Sequence, residues 1–236
     1  MKNRHMYKEI ENARLAMIRR ERDDIFKYLI KKLKKKKGYT PKKVLDIGAW
    51  NGHWTRNCKL FWKDAHYTCV EAGEKHRKHL IHCADEVHIA VLGNKSKKVN
   101  MYISENTQRI EGKLRTKITY TKGSNIFGGT DHTEERDMVT LTSLVGDNAS
   151  YDLIKQDVQG AEILIMEGAP QIFQRAEYVI QEVNRYKDDK YASVPDEKEM
   201  DAYMKSLGFF YNEVMVDHNE HTQIDKIYWK NNSSSL

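Results

Sequence analysis

The sequence predicts an α/β domain with a mostly parallel, doubly wound sheet, an antiparallel strand at its C-terminal edge and an N-terminal helical extension. Strand and helix signals alternate over residues 44–207, which is typical of a parallel sheet covered by helices on both faces. The chain then closes with two strands joined by a short loop, residues 209–216 and 224–229, which indicates antiparallel pairing.

The chain divides into three parts. Residues 1–41 form a basic extension, residues 42–230 the folded domain, and residues 231–236 a flexible polar tail. Apolar residues at steps of three, four and seven predict a helix from about Tyr7 to Lys37 in the extension. We expect its apolar stripe to pack on the domain or on a second copy of the chain, which would then form a homodimer.

Within the domain, apolar runs predict strands and amphipathic segments predict helices. The polar segment 104–137 is predicted to be a long, partly irregular insertion, and residues 99–103 are expected to add a strand to the sheet. The other predicted strands cover residues 44–47, 67–70, 87–92, 152–156 and 178–183. The predicted helices cover residues 54–61, 74–82, 161–167 and 197–207.

The basic residues are concentrated near the N-terminus. The chain has 40 Lys and Arg residues against 34 Asp and Glu residues, a formal net charge of +6, and residues 31–37 are almost all lysine. A solvated helix end accounts for this run, because lysines near a helix C-terminus suit the helix dipole. The less favoured alternative is that these lysines bind nucleic acid or an anionic membrane surface.

The cysteines predict a reducing compartment. Cys58, Cys69 and Cys83 are odd in number and include no Cys-x-x-Cys pair, so a disulfide framework is not expected. No apolar run has the roughly 18–20 residues of a membrane span, and the polar N-terminus lacks the apolar core of a signal peptide. We therefore expect a cytoplasmic protein with no transmembrane segment.

The segment 44–52 predicts a nucleoside pocket. A buried apolar run there ends in an acid and a glycine-bearing turn, and a second run ends in Glu71. Glycines let the backbone approach a ligand, and an acid at the second strand's tip accepts hydrogen bonds from ribose hydroxyls. Trp50 stands where a dinucleotide motif has its second glycine, which disfavours the pyrophosphate of NAD or FAD. S-adenosylmethionine has no pyrophosphate and is the expected cofactor.

Eight residues are candidates for cofactor binding. Gly48, Ala49 and Gly52 offer close backbone approach, whereas Trp50 and Trp54 flank the turn and suit either stacking on a sugar or adenine or packing of the helix. Asp46 is expected to order the turn or meet the cofactor ammonium, and Glu71 to hold the ribose. The full set is Asp46, Gly48, Ala49, Trp50, Gly52, Glu71, Ala72 and Asp157.

A second polar signal lies in residues 152–162. Lys155 and Asp157 interrupt an apolar strand just before the chain turns at Gly160. Ligands of open α/β sheets bind outside the carboxyl ends of the strands, so Asp157 is expected at the mouth of the pocket, facing the methyl donor.

The chain resembles the FkbM family of S-adenosylmethionine-dependent methyltransferases, which implies a Rossmann-like fold. The family pattern Lys-x-Asp-x-x-Gly-x-Glu matches Lys155, Asp157, Gly160 and Glu162, whereas Gln159 stands where the family usually has Glu. The resemblance covers about residues 42–185. Its motifs here are VLDIGAWNGHWT (44–55), CVEA (69–72) and DLIKQDVQGAEILIMEGA (152–169).

The resemblance implies O-methylation of a sugar or glycan hydroxyl, which must lose its proton as it attacks the methyl carbon. The expected catalytic residues are Asp157, Glu182 and Lys155. Asp157 is the base, or it holds Mg²⁺ or Mn²⁺ with Glu182 and Asn184 as further oxygen ligands. The alternative is that Asp157 only caps the helix beginning near Ala161 and pairs with Lys155.

Two histidine groups allow weaker interpretations. His76, His79 and Cys83 share a helix face at metal-ligand spacing, although a solvated helix explains them as well. His218 and His221 lie in the loop of the closing hairpin and are either an alternative base or ordinary turn residues.

Two other functions compete with a small-molecule or glycan methyltransferase. A nucleic-acid methyltransferase, acting on an RNA cap or a base, would use the N-terminal lysines, but the chain lacks the Asn/Asp-Pro-Pro-Tyr/Phe motif that methylates base amino groups. A non-catalytic cofactor-binding protein is the third possibility. Ser124 and Asn125 would bond the cofactor or acceptor if the insertion closes over the site, and otherwise lie in a surface loop.

Overall fold

The computed structural model describes residues 39–102, 105–110, 113–118, 126, 133–186, 194–219 and 223–230. The predicted N-terminal helix with its lysines and homodimer surface lies outside these residues, as does the C-terminal tail. Ser124, Asn125 and His221 also lie outside them.

The described elements follow the predicted alternation of strands and helices. The strands are β1 (Lys43–Ile47), β2 (His66–Glu71), β3 (Glu86–Ile89), β4 (Val91–Leu92), β5 (Lys97–Tyr102), β6 (Glu105–Ile110), β7 (Lys113–Ile118), β8 (Thr133–Val139), β9 (Leu153–Gln156), β10 (Tyr178–Asn184), β11 (Tyr211–Asn219) and β12 (Gln223–Trp229). The helices are α1 (His53–Lys59), α2 (Arg77–Leu80), α3 (Leu141–Val145), α4 (Glu162–Glu167), α5 (Pro170–Arg175) and α6 (Glu197–Ser206), and a 3₁₀ turn, Glu74–His76, precedes α2.

Seven strands form the main sheet in the order β11-β12-β10-β9-β1-β2-β3. The pairings from β10 across to β3 are all parallel, whereas β12 is antiparallel to both β10 and β11. The predicted sheet, mostly parallel with antiparallel C-terminal pairing, is confirmed. The last strand, β12, is not the edge strand. After α6 the chain forms β11 at the edge, and the hairpin then places β12 between β11 and β10.

The two faces of the main sheet bury different apolar clusters. On one face Leu45 and Ile154 pack with residues of α4, α5 and α6. On the other face Val44 and Leu153 pack with Trp54 of α1. Successive residues of a strand point to opposite faces, so a sheet covered on both sides needs nearly continuous apolar strands. This explains why the predicted strands read as unbroken apolar runs.

The prediction for residues 87–103 is wrong in part. The single strand expected at 87–92 divides, because the Ala90 N–H donates to the Glu71 carbonyl at 3.0 Å while the Gly93 N–H donates to the Val139 carbonyl at 2.9 Å. β4 therefore belongs to a second sheet, β4-β8-β5. β5 lies in that second sheet and does not extend the main one.

The insertion predicted as partly irregular contains regular strands. β6 and β7 form a separate antiparallel pair, and β8 begins at Thr133. These strands carry few apolar residues and are paired by their backbones, so apolar periodicity does not reveal them. Within the described ranges, none of the helices has the length and hydrophobicity needed to span a bilayer.

Candidate functional site

A row of buried polar side chains crosses the main sheet near the carboxyl ends of its parallel strands. Residues two apart in a strand share a face of the sheet. The polar row therefore lies on the same face as the apolar cluster under α1, next to it along each strand. Its members are all buried, and Asp225, an acid inside an apolar strand, was not predicted. In each strand, one polar member of the row lies two residues from an apolar residue of the cluster. These pairs are Val44 and Asp46 in β1, Leu153 and Lys155 in β9, Ile180 and Glu182 in β10, and Ile227 and Asp225 in β12.

Asp46 lies at the centre of this row. Its Oδ2 accepts a hydrogen bond from the Thr55 hydroxyl at 2.7 Å, and its Oδ1 lies 3.8 Å from the Lys155 ammonium. Oδ1 is buried and makes no hydrogen bond. Burial raises the pKa of Asp46, and the nearby Lys155 opposes that rise. Asp46 therefore ties the start of α1 to β9, and Thr55, which the sequence did not single out, holds it in place.

Lys155 lies between Asp46 and Asp157. Its Nζ lies 3.4 Å from Asp157 Oδ2 and its side chain is buried. Burial acts to lower the pKa of Lys155, but the charges of Asp157 and Asp46 outweigh it and raise the pKa above its ordinary value. Lys155 thus stays an ammonium at neutral pH and acts as a donor, not as a base.

Gln159 connects Asp157 to Glu182. Its Nε2 donates to Asp157 Oδ1 at 2.9 Å and to Glu182 Oε2 at 2.6 Å. The sequence marked Gln159 as a departure from the family pattern, but this contact depends on how the turn after β9 meets β10. The predicted pair Asp157 and Glu182 is brought together by a residue that was given no role.

The predicted metal set does not fit the described geometry. The Gln159 amide nitrogen lies between Asp157 and Glu182, in the position that a bridging cation needs. The third candidate, Asn184, accepts a hydrogen bond from Gln223 at 3.5 Å. Among the residues the structure describes, no three His, Cys, Asp or Glu side chains form a group suited to a metal ion.

The glycine turn uses its own backbone donors. The N–H groups of Gly48 and Ala49 both donate to the Val70 carbonyl, at 2.9 and 3.2 Å, and the Gly52 N–H donates to the Ala49 carbonyl at 2.7 Å. The Trp50 N–H donates to Glu71 Oε2 at 2.8 Å. A phosphate site needs free N–H groups that converge on the anion, so these four residues offer none to a pyrophosphate.

Two glycines of this turn are required by contacts within the protein. Gly48 has a φ of +77°, and a Cβ there would run into the Asp157 carbonyl oxygen. Gly52 has a φ of +78°, and a Cβ there would run into the sulfur of Cys83. Cys83 is buried behind the turn, and its Sγ contacts the His79 carbonyl. The turn is therefore packed tightly between β9 and α2.

Glu71 lies at the tip of β2, beside this turn. One of its carboxylate oxygens accepts the Trp50 N–H and the other accepts the Gly73 N–H at 2.9 Å. Each oxygen has a second lone pair for a further donor. Burial raises the pKa of Glu71, and the two backbone donors only partly offset this. Hydroxyl donors from a ligand would favour its ionised form.

The two tryptophans of the turn have different environments. Trp50 is 51% exposed, has a φ of 48°, and its ring lies edge-on to His76 with centroids 6.1 Å apart. Trp54 is buried in the apolar cluster under α1, as the packing interpretation predicted. Next to Glu71, the Ala72 carbonyl accepts a hydrogen bond from Arg136 of β8 at 3.0 Å. Arg136 is a further contact that sequence reasoning missed.

Glu162 supports the turn that carries Gln159. Its Oε1 accepts the N–H groups of Val158 and Gly160, at 3.1 and 3.3 Å, and burial raises its pKa to about 7. Gly160 has a φ of +104°, and a Cβ there would meet Val194. The family pattern named Glu162 without a role, and the structure gives it this one.

The structure separates the predicted histidine groups. His76 is buried beside Trp50 and lies in the 3₁₀ turn before α2. His218 lies in β11, whose hairpin partner begins at Gln223, and Gln223 pairs with Asn184 at the carboxyl end of β10. The hairpin therefore returns to the edge that carries Asp157, as expected from the topology.

Comparison with known proteins identifies a matching family. The family model described as the methyltransferase FkbM domain matches residues 46–211 of this chain. None of the curated protein sequences matches the chain.

Solved structures with related folds have low sequence identity to this chain. The crystal structure of EvdMO1 shares 12% identity at a TM-score of 0.45, and the match covers 87% of this chain but only 41% of EvdMO1. The methyltransferase domain of bacterial CtHen1-C shares 10% identity at a TM-score of 0.46, covering 89% of this chain and 98% of that one. The precorrin-6y C5,15-methyltransferase from Geobacter metallireducens shares 9% identity at a TM-score of 0.40, covering 81% of each chain.

Proposed function

Because this chain belongs to the FkbM methyltransferase family, we propose that it transfers a methyl group from S-adenosylmethionine to a hydroxyl oxygen of a sugar or glycan. The observation that carries the proposal is the Asp157 carboxylate, held by two donors at the carboxyl edge of the sheet beside the glycine turn. An acid in that position can take the proton of an acceptor hydroxyl.

The residues of the turn fit this cofactor. S-adenosylmethionine, when bound, supplies an electrophilic methyl group and carries no phosphate. The turn has already used its N–H groups within the protein, which disfavours phosphates. Glu71 would hold the ribose hydroxyls through the free lone pairs of its carboxylate. Trp50, exposed next to Glu71, would cover the adenosine portion with its ring.

Asp157 is the proposed base. A sugar hydroxyl is a poor nucleophile until its proton is removed, and a positioned base contributes about 10²–10⁴-fold to such a step. Lys155 cannot act as this base because it stays protonated, so its role is to hold Asp157 and balance its charge. The described residues favour this metal-free route, since Gln159 takes the position between the acids.

An acceptor screen with labelled S-adenosylmethionine tests the proposal. The acceptors are sugars, nucleotide sugars, oligosaccharides and RNA, and we expect labelled product from the sugars or glycans but not from RNA, unchanged by EDTA. Asp157→Asn should lower kcat by about 10²-fold or more, because the amide cannot accept the proton. Asp64→Asn, the same change at an exposed acid, is the matched control and should leave the rate unchanged.

Two results would overturn this function. Asp157→Asn with a rate within a few-fold of wild type would remove the base, and labelled RNA with no labelled sugar would support a nucleic-acid methyltransferase. We also propose a cytoplasmic location, supported by the three free thiols of Cys58, Cys69 and Cys83.

A further inference from the structure

We propose that Gln159 is a positioning residue that holds the carboxylates of Asp157 and Glu182 together, and that its amide takes the place of a cation there. Its catalytic meaning rests on the proposed role of Asp157 as the base, whereas the bridging geometry stands apart from that role.

The amide contacts both carboxylates through a single nitrogen. Nε2 of Gln159 lies 2.9 Å from Asp157 Oδ1 and 2.6 Å from Glu182 Oε2. A side-chain NH₂ group carries two hydrogens, so it can donate one to each acid. Lys155 approaches the other oxygen of Asp157, at 3.4 Å. Both oxygens of the proposed base are therefore oriented by a donor.

Strand register explains why a bridge is needed. Lys155 of β9 and Ile180 of β10 are paired, and Asp157 and Glu182 each lie two residues further along. The two acids consequently project from neighbouring strand ends on the same face of the sheet. Two carboxylates placed so closely repel each other unless a donor or a cation lies between them.

The backbone at Gln159 supports a positioning role. Its φ is 58°, in the left-handed region that side chains other than glycine rarely adopt. Hydrogen bonds on either side of Gln159 hold the turn, because the N–H groups of Val158 and Gly160 donate to the Glu162 carboxylate. Backbone strain of this type persists where the surrounding structure holds a residue in place for a function. Here that function would be to keep the Gln159 side chain between two acids.

The surroundings predict what a carboxylate at this position would do. The charges of Asp46, Glu71 and Glu162 act on Asp157, whose Oδ2 also lies near the Lys155 ammonium, and Asp225 interacts with Lys155. Glu in place of Gln159 would remove the donor and add a third acid. Three carboxylates in one place form an oxygen site that suits Mn²⁺.

The test is a Mn²⁺ titration by calorimetry of the full chain and of Gln159→Glu, followed by melting of both proteins. Wild type should show no saturable Mn²⁺ binding, whereas Gln159→Glu should bind one equivalent. In EDTA the variant should melt roughly 2–4 °C below wild type, and Mn²⁺ should restore it.

Two further variants separate bridging from general destabilisation. Gln159→Ala loses the bridge without adding a third acid, so Mn²⁺ should raise its lowered melting temperature less than it raises that of Gln159→Glu. Gln171→Glu makes the same charge change at an exposed position of α5 and should behave as wild type. With an acceptor from the screen, Gln159→Ala should lower kcat more than it raises KM for S-adenosylmethionine, because the amide contacts the base.

Either of two results would overturn the proposal. Gln159→Glu that melts as wild type and binds no Mn²⁺ would show that the amide does not separate two charges. Saturable Mn²⁺ binding by wild type, abolished in Asp157→Asn, would show that a cation and not the amide joins the acids, even if Gln159→Glu fails to fold. Mn²⁺ titration and melting need neither cofactor nor acceptor. Their results would therefore test the bridge even if the methyltransferase proposal failed.

Discussion

The carboxyl group of Glu162 illustrates, at the scale of one residue, how burial competes with hydrogen bonding. Two backbone N–H groups favour its ionised form, but the side chain is only 3% exposed. Burial dominates and raises the pKa from 4.5 to about 7. The turn that carries Gln159 thus rests on an acid that is partly protonated at neutral pH.

Stability should therefore depend on pH through Glu162. Between pH 4.5 and about 7 the folded state keeps a proton that the unfolded state has lost, so this contribution is complete below pH 4.5 and disappears as pH rises through 7. Relative to Glu162→Gln, wild type should lose about 3 kcal/mol between pH 4.5 and 8. Urea unfolding of both proteins across that range measures the difference. Parallel profiles would contradict the raised pKa.

At the scale of elements, the turn after β1 and the turn after β9 depend on each other. Gly48 lies against the Asp157 carbonyl, so the glycine turn and the proposed base share one contact. Gly146, at the end of α3, also has a positive φ of +89°, with a ψ of 152°, but open space around it. The two glycines form a natural pair for comparison.

Alanine at these positions should separate backbone strain from steric contact. Gly146→Ala should cost about 1–3 kcal/mol, the cost of a positive-φ backbone conformation alone. Gly48→Ala should cost about 1–3 kcal/mol more, because its Cβ displaces the Asp157 backbone, and should weaken S-adenosylhomocysteine binding. Denaturant unfolding and calorimetry measure the two effects. An equal loss of unfolding free energy in the two variants would mean that the turn after β9 shifts without cost to make room for the Cβ.

The strands of the main sheet could be predicted from sequence, whereas the second sheet could not. β1, β2, β9 and β10 are buried on both faces, so each appears as an apolar run. β4 belongs to the second sheet because the Gly93 N–H donates to the Val139 carbonyl. The local sequence pattern does not predict that long-range hydrogen bond. In the site, Asp46, Lys155 and Asp157 could be placed together because strand ends converge. The contacts of Thr55 and Gln159 depend on three-dimensional register.

For the whole molecule, the site joins parts of the chain that lie far apart in sequence. Glu71 comes from β2, Asp157 from the turn after β9, and Glu182 from β10. They lie at the same edge of the sheet only when these strands are assembled. A ligand that contacts several of these strands binds the folded state and not the unfolded one. Binding should therefore stabilise the entire domain.

S-adenosylhomocysteine should raise the melting temperature. At 100 times its Kd the stabilisation is about 2.7 kcal/mol, or roughly 5–10 °C for a chain of this size. Glu71→Gln should reduce the shift, since the carboxylate is the proposed ribose ligand, whereas Glu74→Gln at an exposed position should not. A thermal scan with each protein decides this. An equal shift with NAD would contradict the exclusion of phosphates.

The contact between Gly52 and Cys83 bears on how inactivation experiments are interpreted. Cys83 fills the space behind the turn, and burial raises its pKa, so its thiol reacts slowly. Once alkylated or oxidised, the enlarged sulfur would push against Gly52 and displace the glycine turn. Loss of activity after treatment with a thiol reagent would then reflect damaged packing, and would not identify a cysteine nucleophile.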